Sequence, residues 1–150
     1  MEYVVRSGDS FEQIEMRVID TLQRQGFVVR QSFSLLSATR SVSGLSVEER
    51  AADGPPGFSV LWLYGPGASR QPHSLVTLYQ RRGHTLFRAV PSPMTRLPLA
   101  GIQATADLEA ELVATLVLDG LDVCLGLGGD RRCVDAAQLV DSATPGPDAS

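Results

Sequence analysis

Lysine is absent from this chain, and all thirteen basic residues are arginine. Without a lysine amine there is neither Schiff-base chemistry nor a lysine general base. Cysteine and histidine are scarce, at two residues each. Two cysteines do not make a disulfide framework, and Cys124 and Cys133 fit a reducing compartment. Cys124 reads as a small buried apolar residue and Cys133 as part of a tail. Their Cys-x8-Cys spacing matches no zinc pattern, and His73 and His84 fall on separate elements, so no metal site is expected. There is no Gly-x-Ser-x-Gly motif. The cluster Gly126-x-Gly128-Gly129 is expected to follow a helix rather than a strand, which makes it a helix terminator and not a phosphate loop. No basic segment followed by an apolar run opens the chain, so no signal peptide is expected. The longest apolar stretch, near residues 112–127, is interrupted by Asp119 and Asp122 and is too short to span a bilayer. These absences lead to the expectation of a cytoplasmic protein without a membrane partner. The net charge of −4 argues against nucleic acid as a partner, because neutralising phosphates needs a basic surface.

What is present is ordered. A chain of 150 residues is expected to form one domain. Residues 1–128 are read as that domain and 129–150 as a flexible tail. Residues 2–6, EYVVR, form a short strand. Ser10 and Gln13 make a capping box for the helix that follows. Its apolar stripe is Phe11, Ile14, Val18 and Leu22, its acidic residues Glu12 and Glu15 suit the helix dipole, and Gly26 ends it. Residues 27–36 alternate as a second strand. Ser46 and Glu49 can cap a helical turn within 46–52. Three strands then follow at 58–64, 74–80 and 84–90, the last two joined by a turn at Arg82-Gly83. Thr105 is read as the cap of a second helix with the stripe Leu108, Leu112 and Leu116, which stops at Gly120 or runs on towards Leu125. This is an α+β chain: an antiparallel sheet of about five strands in β-α-β(4)-α order, with two helices packed on one face.

The passages FEQIEMRVIDTLQRQGFVV at 11–29, FSVLWLYGPG with SLVTLYQRRGHTLFRAVPSP, and the helix at 105–119 resemble the domain-of-unknown-function 302 family. These are small bacterial proteins with a TATA-box-binding-protein-like β-α-β(4)-α fold. The resemblance covers about residues 2–125. It implies that fold, and a domain that dimerises or binds small ligands. Family members commonly carry Cys-Asn-Pro where this chain has Tyr64-Gly65-Pro66, and Pro-Cys where it has His73-Ser74. Any function tied to those cysteines is expected to be missing here.

The strand at 58–64 is apolar at nearly every position, which marks a strand covered on both faces. Helices can cover only one of them. On the other face, alternation places Trp62 and Tyr64, and also Arg6, Arg30 and Arg88. Guanidinium groups there could grip a carboxylate or phosphate bidentately. The plainer reading of those arginines, a solvated face, weighs more, because exposed charged residues are the norm. Trp62 and Tyr64 read first as core and second as pocket rim. The expected function is non-enzymatic binding of a small amphipathic or anionic ligand on the helix-free face, with Arg30, Arg88, Trp62 and Tyr64 as ligand-binding residues. No catalytic residue and no cofactor is assigned. One alternative is a protein-interaction or chaperone-like homodimer using the same face. The other is an enzyme without a recognisable motif.

Overall fold

Ser10 opens the first helix as its spacing to Gln13 requires. Its Oγ accepts the Gln13 N–H at 3.2 Å, and Gln13 Oε1 accepts the Ser10 N–H at 2.9 Å. The computed structural model describes residues 2–34, 38–51, 54–65, 72–92, 98–126 and 133–135. Within them the order is β1 (Glu2–Arg6), α1 (Phe11–Arg24), β2 (Val28–Ser32), β3 (Arg40–Ser41), α2 (Val47–Ala51), β4 (Phe58–Tyr64), β5 (Ser74–Arg81), β6 (His84–Pro91), α3 (Pro98–Leu118) and β7 (Asp122–Leu125). The second capping box also forms, with Ser46 Oγ accepting from Glu49 and Glu49 Oε2 accepting from Ser46.

The seven strands make one sheet in the order β3-β2-β4-β5-β6-β1-β7, antiparallel at every pairing. β1 and β2 therefore run the same way with three strands between them, and α1 bridges that gap. β6 and β7 flank β1, and α3 makes the second crossover. Phe11, Ile14, Val18, Ile19 and Leu22 of α1 join Leu108, Leu112, Val113, Leu116 and Val117 of α3 over Val5, Leu61, Leu63, Val76, Leu78 and Phe87 of the sheet. The opposite face carries a smaller cluster of Val60, Trp62 and Leu75, flanked by Phe58, Tyr64 and Val90. The expectation that β4 is covered on both sides thus holds: Val60, Leu61, Trp62 and Leu63 are all buried.

The α+β class and the antiparallel sheet agree with the sequence reading, but there are seven strands and three helices rather than about five and two. β3 has only two residues, too few to show alternation. β2 stops at Ser32, whose hydroxyl turns to donate to the Ser34 carbonyl at 2.7 Å, a local bond that competes with the ladder; Leu35 and Leu36 lie outside the described residues. α3 begins at Pro98, a residue suited to the first helical position, and not at Thr105. Thr105 is instead buried inside the helix, 2.9 Å from the Ser74 hydroxyl. The apolar run after Leu118 is not more helix. Gly120, at φ 97°, turns the chain back so that β7 can pair with the edge of β1. Gly126 consequently follows a strand, contrary to expectation.

The cysteines also depart from expectation. Cys124 is buried as anticipated, but it forms a disulfide with Cys133. The Val134 N–H donates to the Val123 carbonyl at 2.8 Å, which lays residues 133–135 of the expected tail along β7. No helix among the described residues is long and apolar enough to cross a membrane.

Truncating Phe87, fully buried between the sheet and α3, is expected to cost about 3–5 kcal/mol in urea unfolding, whereas Ser10→Ala is expected to cost about 1 kcal/mol through the lost cap. Similar losses from the two changes would contradict this assignment of core and surface.

Candidate functional site

Strand register sets out the helix-free face in rows. Arg30 lies opposite Trp62, Trp62 opposite Leu75, and Leu75 opposite Val90. The next row runs Ser32, Val60, Thr77, Arg88, Glu2. The third runs Phe58, Tyr79, Leu86, Val4, Cys124. Arg81 with His84, and Arg6 with Asp122, lie beyond it.

This lattice separates the three arginines. Arg30 and Arg88 are three strand steps apart, about 14 Å at ~4.8 Å per step. Arg6 is four steps from Arg30 and three rows further along the strands, roughly 20 Å in that second direction at ~3.3 Å per residue. One carboxylate or phosphate cannot be gripped by all three. Trp62 is directly across from Arg30, but it is only 7% exposed and donates its indole N–H to Ser32 Oγ at 2.8 Å. Tyr64 is half-buried against the same cluster. Both aromatics are packed rather than presented. His73 precedes one end of the Ser74–Arg81 ladder and His84 pairs with Arg81 at its other end, too far apart to share a ligand.

Among the described residues of this face, open space lies at the other end of the rows. A hollow of about 190 Å³ is lined by Glu2, Val4, Arg81, Arg82, His84, Leu86 and Gly126. Val4 and Leu86 are cross-strand partners and form its apolar floor. Two arginines reach its rim because the β5–β6 hairpin turns on Arg82 and Gly83, both at positive φ (52° and 79°), the geometry of a two-residue turn matched to strand twist. His84 Nδ1 is buried without a hydrogen-bond partner among the described residues. The Tyr79 hydroxyl donates to Glu2 Oε2. Burial first, and then the Glu2 hydrogen bond and charge, push the Tyr79 pKa up to about 12, against the pull of Arg81 and Arg88. None of Arg30, Arg88, Trp62 and Tyr64 is among the residues lining the hollow. Gly126 keeps the floor open: a Cβ there would stand 3.0 Å from Val4 Cγ2 and 3.4 Å from Glu2 Oε1. Sequence reasoning passed over Glu2, Val4, Arg81, Arg82, Leu86 and Gly126. The one available signal was the Arg-Arg-Gly hairpin, which presents two cations at a strand end.

A second polar group lies on the helix side. Glu15 and Arg50 are each only 4% exposed, and Gln31 and Ser59 are buried beside them. Gln31 Nε2 donates to Glu15 Oε2 at 3.1 Å and to Ser59 Oγ at 2.9 Å, and Arg40 Nη2 donates to Gln31 Oε1 at 3.1 Å. Arg40 also donates to the Arg50 carbonyl at 2.7 Å and lies over the Phe33 ring. Glu15 is thus not a surface residue answering the helix dipole; position 15 falls inside the apolar stripe between Phe11 and Val18. Burial pushes its pKa up, while Ser59, the Arg50 charge and Gln31 pull it back and Glu12 adds to the rise.

No protein-family model matches the chain, and no curated protein or solved structure matches it either.

Two titrations check these environments. Because the folded state holds the Glu15 proton more tightly than the unfolded chain, Glu15 contributes stability that fades as pH rises above the ordinary value of 4.5. Glu15→Gln removes that loss, so the stability difference between variant and parent should move in favour of the variant from pH 4 to pH 7. A difference that stays constant would contradict the buried, proton-retaining Glu15. Tyr3, whose hydroxyl donates to Glu109 at 3.0 Å, and Tyr79 should both ionise near 12 in an absorbance titration, and Glu109→Gln should lower the Tyr3 step. The stability these two tyrosines contribute is complete below the ordinary value of 10.0 and is lost as pH rises towards 12.

Proposed function

We propose that this domain is a binding module that holds a small anionic ligand with an apolar part on the helix-free face of its sheet. The observation that carries this is the hollow of about 190 Å³, with an apolar floor and two arginines at its rim. It is smaller than the ~300–1,000 Å³ of pockets for drug-sized molecules, which favours a compact ligand. The Arg81 and Arg82 guanidiniums suit a carboxylate or phosphate head, and Val4 and Leu86 suit a short apolar body. Arg88 of the expected set lies outside the lining, where its charge acts on Tyr79.

On this reading Trp62 and Tyr64 stabilise the face and Arg30 is peripheral to the ligand. The module is taken to act in the bacterial cytoplasm, in keeping with the resemblance to the 302 family. The homodimer alternative rested on β4 needing a cover. Val60 and Leu75 are buried within the single chain, while Phe58, Tyr64 and Val90 beside them are only partly buried and are what a second copy would cover. The enzyme alternative would use His84 and the Glu2 carboxylate, which both line this hollow.

Phenyl phosphate and phenol separate charge recognition from apolar filling. In an NMR titration, phenyl phosphate is expected to shift the amides of Val4, Leu86 and Gly126, while phenol at equal concentration shifts them far less. Arg82→Ala should weaken phenyl phosphate binding by about tenfold, the scale of one lost charge-assisted hydrogen bond. Gly126→Ala should weaken both compounds by narrowing the floor. Shifts confined to Trp62 and Arg30, or none at all, would overturn the assignment.

A further inference from the structure

We propose that Asp122, Cys124 and Cys133 form a redox-gated site for a thiophilic divalent cation of the zinc class, independent of the ligand hollow. Asp122 and Cys124 are alternate residues of β7, so their side chains leave the strand on the same side. Cys133 is brought opposite Cys124 by the backbone bond from Val134 to Val123. A carboxylate oxygen and the two sulfurs all lie within 4.8 Å of one another. Asp122 Oδ1 stands 3.8 Å from Cys124 Sγ. A sulfur bonded to sulfur has no proton to donate, so this is a contact and not a hydrogen bond. It is close to the oxygen–sulfur edge, about 3.5 Å, of a tetrahedron with metal bonds of ~2.0 Å to oxygen and ~2.3 Å to sulfur.

The disulfide is the closed, metal-free state, because its sulfurs carry no thiolate charge. A dithiol reductant opens it by exchange: the reductant's two thiols become a disulfide, and their two hydrogens and two electrons convert the protein disulfide into two thiols. The cation then displaces the two thiol protons and is held by two thiolates and the Asp122 carboxylate. Two soft sulfur ligands select zinc-class ions over calcium or magnesium. Cys133 and Asp122 are exposed while Cys124 is buried, so the ion enters from solvent and its fourth position is taken by water. In a reducing compartment this open, metal-binding form would be the resting state.

Cobalt(II) is the probe. The full chain is compared as the disulfide form and after treatment with a dithiol that is then removed under nitrogen. The reduced protein should bind one cobalt per chain with a sulfur-to-cobalt charge-transfer absorption that zinc abolishes; the disulfide form should show neither. Cys133→Ser should halve the absorption. Asp122→Asn should keep it and weaken cobalt binding by at least about tenfold, since losing even the groups behind metal ligands costs ~10–100-fold. The proposal is overturned if reduced protein with two titratable thiols and a native circular dichroism spectrum gives no charge-transfer absorption. It is equally overturned if Asp122→Asn binds cobalt as well as the parent, or if the disulfide form binds it as well as the reduced form. Unfolding of both the reduced protein and Cys133→Ser would also overturn it, because a folded chain with open thiols would then not exist.

Discussion

Burial of β4 on both faces is the constraint on which the rest of the molecule depends. Leu61 and Leu63 point into the layer shared with α1 and α3, while Val60 and Trp62 build a second cluster behind them. A strand of that composition is stable only near the middle of a sheet, with neighbours on both edges and cover on both sides. β2 and β5 supply the edges. The tight hairpin to β6 then leaves β1 to be placed outside β6, and β1 in turn provides the edge that captures β7. Much of the topology follows from satisfying this one apolar segment.

The helix-side layer is not purely apolar, and this shapes the region between β2 and β4. Gln31 and Ser59 face the core from neighbouring strands, and Glu15 faces it from α1. Buried polar groups without partners would cost several kcal/mol, of the order of ~1–3 each. They are satisfied by one another and by Arg40, which arrives on the β3–α2 excursion with Arg50, whose charge acts on Glu15. The excursion is thus held by side-chain chemistry as much as by its two-residue ladder. Arg50, short of solvent beside Glu15, and Arg40, over Phe33, tie sequence-distant segments into one network.

Local patterns in the chain were readable wherever a period or a cap had room to repeat. Both capping boxes, the stripe of α1 and the alternation of β4, β5 and β6 appear as the residues suggest. Two-residue β3 had no period to show. β7 was hidden because an apolar run after a helix looks like more helix; what decides it is the free edge of β1. Glu15 was misread because a carboxylate normally marks an exposed position, and only its neighbours across the sheet make burial tolerable. None of the expected ligand residues lines the hollow. Trp62 was drawn into the second cluster by its bond to Ser32, a partner thirty positions away.

The sequence by itself determined the α+β class and the longer elements, β3 and β7 apart, because helix stripes, strand alternation and caps depend on residues two to four apart. It also determined the chemistry on offer: arginine without lysine, two cysteines and two histidines. Only the tertiary structure decided where that chemistry meets. The hollow joins Glu2 and Val4 from the first strand, Arg81, Arg82, His84 and Leu86 from the hairpin, and Gly126 from the end of the last strand. Strand order is set by the competition of whole surfaces for burial, so residues from three separate segments become neighbours that no local pattern announces.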